Sequence, residues 1–329
     1  MTPIRVFRSL DEVPADFGPS ALTIGNFDGV HVGHRAILRR VKEVAVERGL
    51  KASVLTFNPH PSKVVNPARA PRLMTTPEQR CALMREEGIE QVFILPFNLA
   101  VAQLTPEQFV ERVLVDKLGV RAVLVGHDFC FAYKQSGNVR VLRELGAKYG
   151  FTTEEVKAVM LRGHLVSSTS LRVLIETGRL AQAARLLGRP YGLEGEVVAG
   201  RGVGSKQTVP TLNLATQTEV LPATGVYVTA TRDLEGGRIW PSVTNVGHRP
   251  TFGEGQEISI ETFLLELLAG ATPRRIRVDF LRRVREERQF PDAQALKQQI
   301  LRDAGRAQAY FRRLKKWTKW SVFPVDSMA

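Results

Sequence analysis

A glycine-rich segment at residues 25–34 follows a short apolar run and opens an amphipathic pattern. The apolar run 21–24 predicts a buried strand before it. Apolar side chains then recur at helical spacing, at Ile37, Leu38, Val41, Val44 and Ala45. The segment therefore occupies a strand-to-helix turn. There the first helical N–H groups are unpaired, the helix dipole favours anions, and glycines let a polyphosphate approach the backbone. The pattern predicts a nucleotide-phosphate site.

Two histidines lie at the helix side of this turn. His31 and His34 are three residues apart, so they share one face of the first helical turn and can both donate to phosphate oxygens. A zinc site is the competing interpretation, and it is weaker because the intervening glutamate and a third ligand are missing. A third alternative is a pair of ordinary hydrogen-bonded histidines.

Short apolar strands alternate with helical patterns from residue 4 to about residue 149. This alternation predicts a parallel sheet with helices on both faces and a ligand crevice at the carboxyl ends of the strands. Three motifs fall at predicted strand ends, at residues 25–34, 57–61 and 126–129. A fourth motif, at residues 166–172, caps the next helix with hydroxyl side chains and then supplies Arg172.

The periodicity changes after a short predicted helix at residues 180–187, which ends at Gly188 and Pro190. Strand-like segments follow at 193–199, 226–231, 239–246, 258–265 and 275–280, separated by turns rich in glycine and proline. This predicts a small antiparallel barrel, and residues 292–311 predict a helix that covers one side of it. With 329 residues the chain is long enough for two domains, which we predict at 1–185 and 186–329.

The formal net charge of +13 suggests phosphate-bearing partners. Nucleic acid and small anionic substrates explain it equally well. We expect no nucleic-acid partner, because no motif that reads DNA or RNA is visible and the arginines of residues 274–288 are interleaved with acidic residues. The basic tail 312–320, with its tryptophans, is more simply a cationic helix end.

The sequence predicts a cytoplasmic protein without a membrane partner. No apolar run approaches the length of a membrane span, and the first residues lack an apolar signal core. Cys81 and Cys130 are too few for a disulfide framework, so both are predicted to be reduced thiols. The sequence makes no prediction of the oligomeric state.

The string from Gly25 to His34 resembles the HxGH signature of nucleotidylyltransferases and, with its prefix, the bacterial bifunctional riboflavin kinase/FAD synthetase family. The later motifs resemble that family's F-x-P-H-P, G-x-D-F and I-S-S-T-x-x-R motifs in the same order. The resemblance implies an α/β nucleotidylyltransferase domain that transfers AMP from ATP to FMN. The implied nucleotide-site residues are Gly25, Asn26, Phe27, Asp28, His31, Gly33, His34, Ser167, Ser168, Thr169 and Arg172.

The same resemblance implies that His31, His34 and the helix N-terminus hold the α- and β-phosphates, with Mg²⁺ bridging phosphates of ATP. Residues 167–169, which we call the hydroxyl segment, and Arg172 would close over the leaving pyrophosphate. The implied flavin contacts are Asn58, Pro59, Asp128 and Phe129. Asp128 could instead be a capping residue.

In the second half, residues 210–213 are similar to the P-T-A-N motif of riboflavin kinases, and residues 245–252 and 261–263 match family positions in order. This implies transfer of the γ-phosphate of ATP to riboflavin in an antiparallel β-barrel kinase domain with a C-terminal helix. Glu261 is the candidate base, and strand alternation would aim it into the barrel.

Other candidate residues of the kinase domain lie in its loops and on its strands. Thr211 and Asn213, two residues apart on one face, could ligate Mg²⁺, or they could cap a turn. Asn245 and Arg249 are expected near the flavin or the phosphates. The glycine-rich loop could cradle a nucleotide or be an ordinary surface loop; its candidate residues are Gly200, Gly202, Gly204 and Lys206.

The chain departs from the family pattern in both halves. Ala132 and Gln135 stand where the family has a glycine and an arginine, and Lys134 could supply the missing charge. In the second half Ser205 replaces an arginine and Thr208 replaces a glycine, and Arg201 and Lys206 are possible substitutes for these loop residues. Leu212 replaces an alanine, and its side chain is predicted to point away from Thr211 and Asn213. The alternatives left open are an enzyme with one activity, a nucleic-acid-binding protein with a ligand-sensing fold, and an aminoacylating enzyme.

Overall fold

The computed structural model describes residues 3–161, 163–199, 211–249, 257–268 and 270–317. The chain forms two compact units, residues 1–170 and 171–329. This division lies 15 residues before the boundary at 185/186 that the sequence suggests. The helix Ser168–Glu176 spans it.

The first unit is built on a six-stranded parallel sheet. The strands of this unit, in chain order, are β1 (Arg5–Phe7), β2 (Ser20–Ile24), β3 (Lys51–Asn58), β4 (Gln91–Pro96), β5 (Val120–Gly126), β6 (Cys130–Phe131), β7 (Gly137–Asn138), β8 (Thr152–Val156), β9 (Met160–Leu161) and β10 (His164–Leu165). The sheet order is β1-β4-β3-β2-β5-β8, while β6 pairs with β7 and β9 with β10 as short antiparallel ribbons.

Helices connect these strands. They are α1 (Val32–Arg48), α2 (Pro61–Val65), α3 (Pro77–Glu86), α4 (Leu99–Ala102), α5 (Pro106–Phe109), α6 (Val139–Tyr149) and α7 (Ser168–Glu176). A π-helical stretch, Val110–Val115, continues α5, and 3₁₀ turns lie at Pro67–Arg69 and Tyr133–Gln135. Both α3 and α5 begin with a threonine N-cap, a proline in the first turn and a reciprocal capping box.

Each face of the parallel sheet is buried under its own apolar cluster. Along β4, Phe93 and Leu95 belong to one cluster, and Val92 and Ile94 belong to the other. Strands β2, β3 and β5 divide their residues in the same way. Burial on both faces is typical of a parallel sheet covered by helices, and the predicted α/β class is confirmed.

The strand order places the predicted crevice. From β2 the chain passes to β3 and β4 on one side, and it later returns to β5 on the other side of β2. In open parallel sheets ligands bind outside the carboxyl ends of the strands where the winding direction reverses. Here that position is the end of β2 and β5.

The second unit is a closed antiparallel barrel of six strands in the order β11-β12-β15-β14-β13-β16. Its elements are α8 (Leu180–Leu187), β11 (Tyr191–Val198), β12 (Thr211–Thr216), β13 (Gly225–Asp233), β14 (Ile239–Arg249), β15 (Glu257–Leu264), β16 (Arg275–Arg285) and α9 (Ala293–Trp317). The predicted barrel and terminal helix are confirmed. Strand β12 is an addition to the five strands that the sequence predicts.

The barrel interior combines apolar side chains with hydroxyl groups. The ring of Tyr227 packs edge-on against Phe280, with ring centroids 5.3 Å apart. A chain of hydrogen bonds of 2.8–2.9 Å joins the hydroxyls of Thr231, Ser242, Thr229, Thr244 and Thr262. All of these side chains are fully buried. Because the hydroxyls satisfy one another, the interior can be polar without the cost of unpaired groups.

The opposite face of β13 and β14 lies under α9. Val226, Val228 and Val243 pack there against Ala307 and Phe311 of the helix. These valines alternate along their strands with the buried interior residues. The outer face of the barrel is therefore partly apolar, and this matters for the orientation of Glu261.

Both cysteines are free, as predicted. Cys81 is buried in α3, and burial raises the pKa of its thiol to about 11. Cys130 is exposed in β6.

Candidate active sites

The turn after β2 is built from unusual backbone conformations. Phe27 has φ 51° and Val30 has φ 38°, and Gly29 between them has φ 80°. A non-glycine residue in this region costs about 1–3 kcal/mol and persists only where its surroundings hold it. His31 then returns to an extended conformation as the N-cap of α1. The turn thus aims the N-terminus of α1 at the crevice between β2 and β5.

The two histidines form a stacked pair at this helix start. Their ring centroids lie 3.6 Å apart, with an interplanar angle of 17°. The His34 main-chain N–H donates to His31 Nδ1 at 3.2 Å, so a neutral His31 carries its proton on Nε2. The Phe27 ring packs edge-on against His34 at 5.1 Å. The pair is therefore held by the turn itself and presents N–H donors beside the helix N-terminus.

Gly33 makes room for this stack. A Cβ on Gly33 would lie 3.1 Å from two atoms of the His31 ring, tighter than ordinary contact. A side chain at this position would press on the imidazole that lies over it, so glycine suits the stack. No group of three or more His, Cys, Asp or Glu side chains in the part of the chain that the structure describes could hold a metal, so the zinc alternative gains no support there.

Asn26 and Asp28 point into the protein. The Asp28 carboxylate is 2% exposed and accepts hydrogen bonds from the N–H groups of Met74 and Thr75 and from the Thr75 hydroxyl, at 2.9–3.1 Å. Among the described residues, Asn26 Oδ1 is buried without a hydrogen-bond partner. Asp28 therefore supports the turn, whereas the buried Asn26 Oδ1 is left without a donor in the described part of the chain.

The neighbouring strands bring two further motifs to the same edge of the sheet. Asn58 ends β3 and Pro59 follows it, and both are exposed. Asp128 follows β5, with its side chain 84% exposed and its Oδ1 3.9 Å from Nδ1 of His127. The turn is closed by a main-chain hydrogen bond from Phe129 to Gly126. Asp128 is therefore open to solvent at the carboxyl end of β5.

The hydroxyl segment reaches the turn as well. The Ser168 hydroxyl donates to the Asp28 carbonyl oxygen at 3.0 Å. Ser167 caps α7, since its hydroxyl accepts from the Ser170 N–H at 3.2 Å. Thr169 is exposed, and Arg172 lies within α7 beyond the boundary between the compact units. Ser168 thus links the segment to residues 25–31, between β2 and α1, which we call the phosphate turn after the site that the sequence predicts there.

The loop that departs from the family pattern is strained. Ala132 has φ 66° and ψ −170°, a region that is essentially restricted to glycine. Lys134 and Gln135 also have positive φ, at 50° and 58°. The Lys134 ammonium lies 5.2 Å from the centre of the Tyr133 ring. The backbone keeps a glycine conformation although the glycine is replaced.

In the barrel unit, three candidate residues stand side by side on adjacent strands. Glu261 of β15 is paired in register with Asn213 of β12 on one side and with Asn245 of β14 on the other. Residues paired directly across strands project to the same face. Asn213 is buried and Glu261 is half-buried. The three side chains form one polar row, the kinase row.

The kinase row lies on the outer face of the barrel, so the inward orientation predicted for Glu261 is wrong. Its neighbour Thr262 is 0% exposed and hydrogen-bonds to Thr244 at 2.9 Å inside the barrel. Strand alternation then turns Glu261 outward, to the face that α9 partly covers. The apolar outer valines and the hydroxyl-lined interior reverse the usual polarity of a barrel strand, which explains the error.

Thr211 shares the outer face with Asn213. Leu212 between them is 3% exposed and belongs to the interior face, so its side chain points away from both, as predicted. Both polar residues lie within β12, and Thr211 is its first residue. Gly200, Gly202, Gly204, Lys206 and the nearby departures Ser205 and Thr208 lie outside the described residues, as does the side chain of Arg249.

Three residues that support the candidate sites lie outside the motifs identified in the sequence. Arg80 of α3 donates to the Asn26 carbonyl oxygen, and Thr75 holds both Asp28 and the Gly29 N–H. Glu287 lies over Gly247, where a Cβ would be 2.2 Å from Glu287 Oε1. The capping-box pattern at residues 76–79 marks the start of α3 but gives no sign that this helix supports the turn.

Two family sequence models match the chain in succession. The FAD synthetase model matches residues 13–170, and the riboflavin kinase model matches residues 187–311. The bifunctional riboflavin kinase/FMN adenylyltransferase of Pseudomonas fluorescens is 37% identical over 306 residues, which cover 93% of this chain and 97% of that protein. The chain belongs to this bifunctional family.

Other members of the family cover the chain to a similar extent. The protein of the same name from Escherichia coli K12 is 34% identical, covering 94% of this chain and 97% of its own length. The family expectation from the HxGH and P-T-L-N motifs is thereby confirmed. The first matched range contains His31 and His34, and the second contains Asn213, Asn245 and Glu261.

A solved structure shares the architecture over nearly the whole chain. The crystal structure titled as a macrolide-efflux protein from Streptococcus pneumoniae is 25% identical with a TM-score of 0.80, and the alignment covers 93% of this chain and 99% of that one. Within the described ranges, this family member has no helix long and apolar enough to cross a membrane.

Proposed function

We propose that this enzyme uses ATP twice, to phosphorylate riboflavin to FMN at the barrel and to adenylylate FMN to FAD in the α/β unit with release of pyrophosphate. The observation that carries the proposal is the presence of two separate constellations in a chain that belongs to the bifunctional family. One is the stacked His31–His34 pair at the start of α1. The other is the kinase row on the barrel.

Adenylyl transfer requires alignment more than acid–base chemistry. The FMN phosphate has a second pKa near 6, so it is mostly a dianion at pH 7 and a competent nucleophile. An oxygen of FMN forms a bond to the α-phosphorus of ATP while the bond to the bridging α–β oxygen breaks, and pyrophosphate leaves with those electrons. His31, His34 and the N–H groups of α1 stabilise charge on the phosphates.

The neighbouring motifs fit the remaining parts of this substrate pair. Gly25, Asn26, Phe27, Asp28 and Gly33 form or support the wall against the nucleotide. Ser167, Ser168, Thr169 and Arg172 act on the leaving pyrophosphate, and the Ser168 hydrogen bond to the phosphate turn supports this. Asn58, Pro59, Asp128 and Phe129 contact the flavin, and their place at the ends of β3 and β5 supports that assignment.

Phosphorylation of riboflavin needs a base, because its nucleophile is a neutral alcohol. Glu261 takes the proton of the 5′-hydroxyl as that oxygen bonds to the γ-phosphorus and ADP leaves, and such a base contributes about 10²- to 10⁴-fold. Its place between Asn213 and Asn245, facing outward from a closed and filled barrel, supports this role. Arg249 and the loop residues Gly200, Gly202, Gly204 and Lys206 complete the proposed nucleotide and flavin contacts.

The residues of β12 suit magnesium. Thr211 and Asn213 present oxygen donors on one face, beside the carboxylate of Glu261, and oxygen is the donor that Mg²⁺ prefers. When bound with ATP, the ion neutralises charge on the phosphates. We assign the enzyme to the cytoplasm, with ATP, riboflavin and FMN as its partners and no nucleic acid.

Chromatography of flavins tests the assignment. The purified chain with riboflavin, ATP and magnesium should yield FMN and FAD. His31→Ala should accumulate FMN, and Glu261→Ala should make FAD only from supplied FMN. If the parent adenylylates FMN but leaves riboflavin unchanged, the chain has a single activity and the kinase assignment fails; no flavin conversion at all overturns both assignments.

A further inference from the structure

Arg80 is a buried cation directly under the phosphate turn. It lies in α3 and is 2% exposed, and its Nη1 donates to the Asn26 carbonyl oxygen at 2.7 Å. The Thr56 hydroxyl donates to the same oxygen at 3.3 Å. In the described part of the chain, Arg80 Nε has no hydrogen-bond partner. Burying a guanidinium is costly unless its interactions repay it, so this position calls for an explanation other than packing.

The same stretch of chain also holds the far side of the turn. The N–H groups of Met74 and Thr75 donate to the Asp28 carboxylate, and Thr75 Oγ1 accepts from the Gly29 N–H at 3.0 Å. We call residues 74–80 the brace. The brace therefore holds Asn26 through its carbonyl oxygen, Asp28 through its carboxylate and Gly29 through its main-chain N–H.

The strained conformation at Phe27 explains why the turn needs support on both sides. With φ 51°, the peptide groups on either side of Phe27 relax toward ordinary conformations unless they are held. Their direction sets the path into α1 and the orientation of the stacked histidines. Burial lowers the pKa of Arg80, and the Asp28 carboxylate opposes this effect.

We propose that Arg80 is a positioning residue for adenylyl transfer: by holding the Asn26 carbonyl it keeps the phosphate turn in the geometry that the reaction uses. This inference rests on the adenylyl transfer proposed above. Arg80 acts through Asn26 and Phe27. Its loss should therefore reduce turnover in the α/β unit and leave the barrel reaction unchanged.

Kinetics of Arg80→Met and Arg80→Lys in the full chain test this role. Arg80→Met removes the charge and keeps the stem, and we expect kcat for FAD formation from FMN to fall about 30-fold, with the KM for ATP changed less than threefold. Arg80→Lys can still donate to the Asn26 oxygen, so its kcat for FAD formation should be at least about threefold higher than that of Arg80→Met. Riboflavin phosphorylation by the same chains should stay within twofold of the parent.

Arg85→Met is the matched control, because Arg85 is exposed on the same helix and loses the same charge. It should behave as the parent. The inference fails if Arg80→Met loses no more adenylyl transfer than Arg85→Met. It also fails if Arg80→Met and Arg80→Lys both raise the KM for ATP in proportion to the loss and lower the melting temperature of the chain, which would indicate a merely structural role. A parent chain that forms no FAD from FMN overturns the proposed adenylyl transfer itself.

Discussion

Single residues in left-handed backbone conformations mark the α/β site. Phe27 and Val30 lie in the phosphate turn, and Ala132 lies in the loop after β6. Such strain clusters where a site needs a backbone path that ordinary conformations do not give. Hydrogen bonds from Met74, Thr75 and Arg80 support the turn, so its strained backbone conformation persists.

At Ala132 the strain can be removed by deleting one methyl group, which is partly buried against the apolar core of the α/β unit. At φ 66° and ψ −170° an alanine Cβ is unfavourable, whereas glycine is not. We expect Ala132→Gly to raise the free energy of unfolding of the α/β unit by about 1 kcal/mol, the strain relief exceeding the entropy cost of glycine. Denaturant titration measures it.

Ala147→Gly is the control for this substitution. Ala147 is exposed in α6, where glycine costs about 1 kcal/mol in a helix interior. The two alanine-to-glycine changes should therefore shift stability in opposite directions. A loss of stability in both variants would contradict the conformation described for Ala132.

At the scale of strands and helices, the barrel depends on close approach of its strands. A Cβ on Gly195 of β11 would lie 1.8 Å from the main-chain oxygen of Ala215 in β12. Only the missing side chain lets these strands pair. Strand β12 also carries Thr211 and Asn213, so the pairing positions one side of the kinase row.

Gly195→Ala should therefore disable the barrel reaction selectively. We expect riboflavin phosphorylation to fall more than tenfold and the barrel to lose about 3 kcal/mol of stability, because a backbone atom cannot move aside as a side chain can. Adenylyl transfer to FMN should remain within twofold. Flavin chromatography with each substrate separates the two effects.

Gly305→Ala provides the comparison, since a Cβ there meets nothing within 4 Å and the position is helical. It should be neutral or stabilising by up to about 1 kcal/mol. Full kinase activity in Gly195→Ala would show that β11 and β12 do not pair as described.

The elements that could be predicted from sequence are those with a strong apolar signal. The central strands of the parallel sheet are buried on both faces, and apolar residues dominate them, as in residues 92–95 of β4. The edge strand β8 has the sequence TTEEV, with exposed and half-buried positions, and carries no such signal. The polar strand β12 was missed for a similar reason.

The candidate sites were predictable where local sequence defines the geometry. The turn with His31 and His34 is local, and its spacing determines that both rings share a face. The face of Glu261 was not predictable, because hydroxyls line the barrel interior and α9 covers apolar residues outside. Arg80 acts across 54 residues of sequence, and no local pattern records that contact.

For the whole molecule, the two units have separate cores and separate candidate sites, yet they share one net charge of +13. A field of this sign raises the local concentration of anionic substrates, and salt weakens it. The two flavin substrates differ in this respect, because FMN is a dianion near neutral pH whereas riboflavin is neutral. The rates with FMN and with riboflavin can therefore be compared in the same protein under the same conditions.

We expect kcat/KM for FMN, at saturating ATP and magnesium, to fall about three- to tenfold between 20 and 300 mM salt, because screening removes the long-range attraction. For riboflavin under the same conditions kcat/KM should change less than twofold, and riboflavin serves as the internal control. Steady-state rates from separated flavins provide both values. Equal salt dependence for the two flavins would mean that the positive charge does not serve the anionic substrate. A nucleic-acid partner, detected as RNA binding that weakens steeply with salt and persists in His31→Ala, would then be its better explanation.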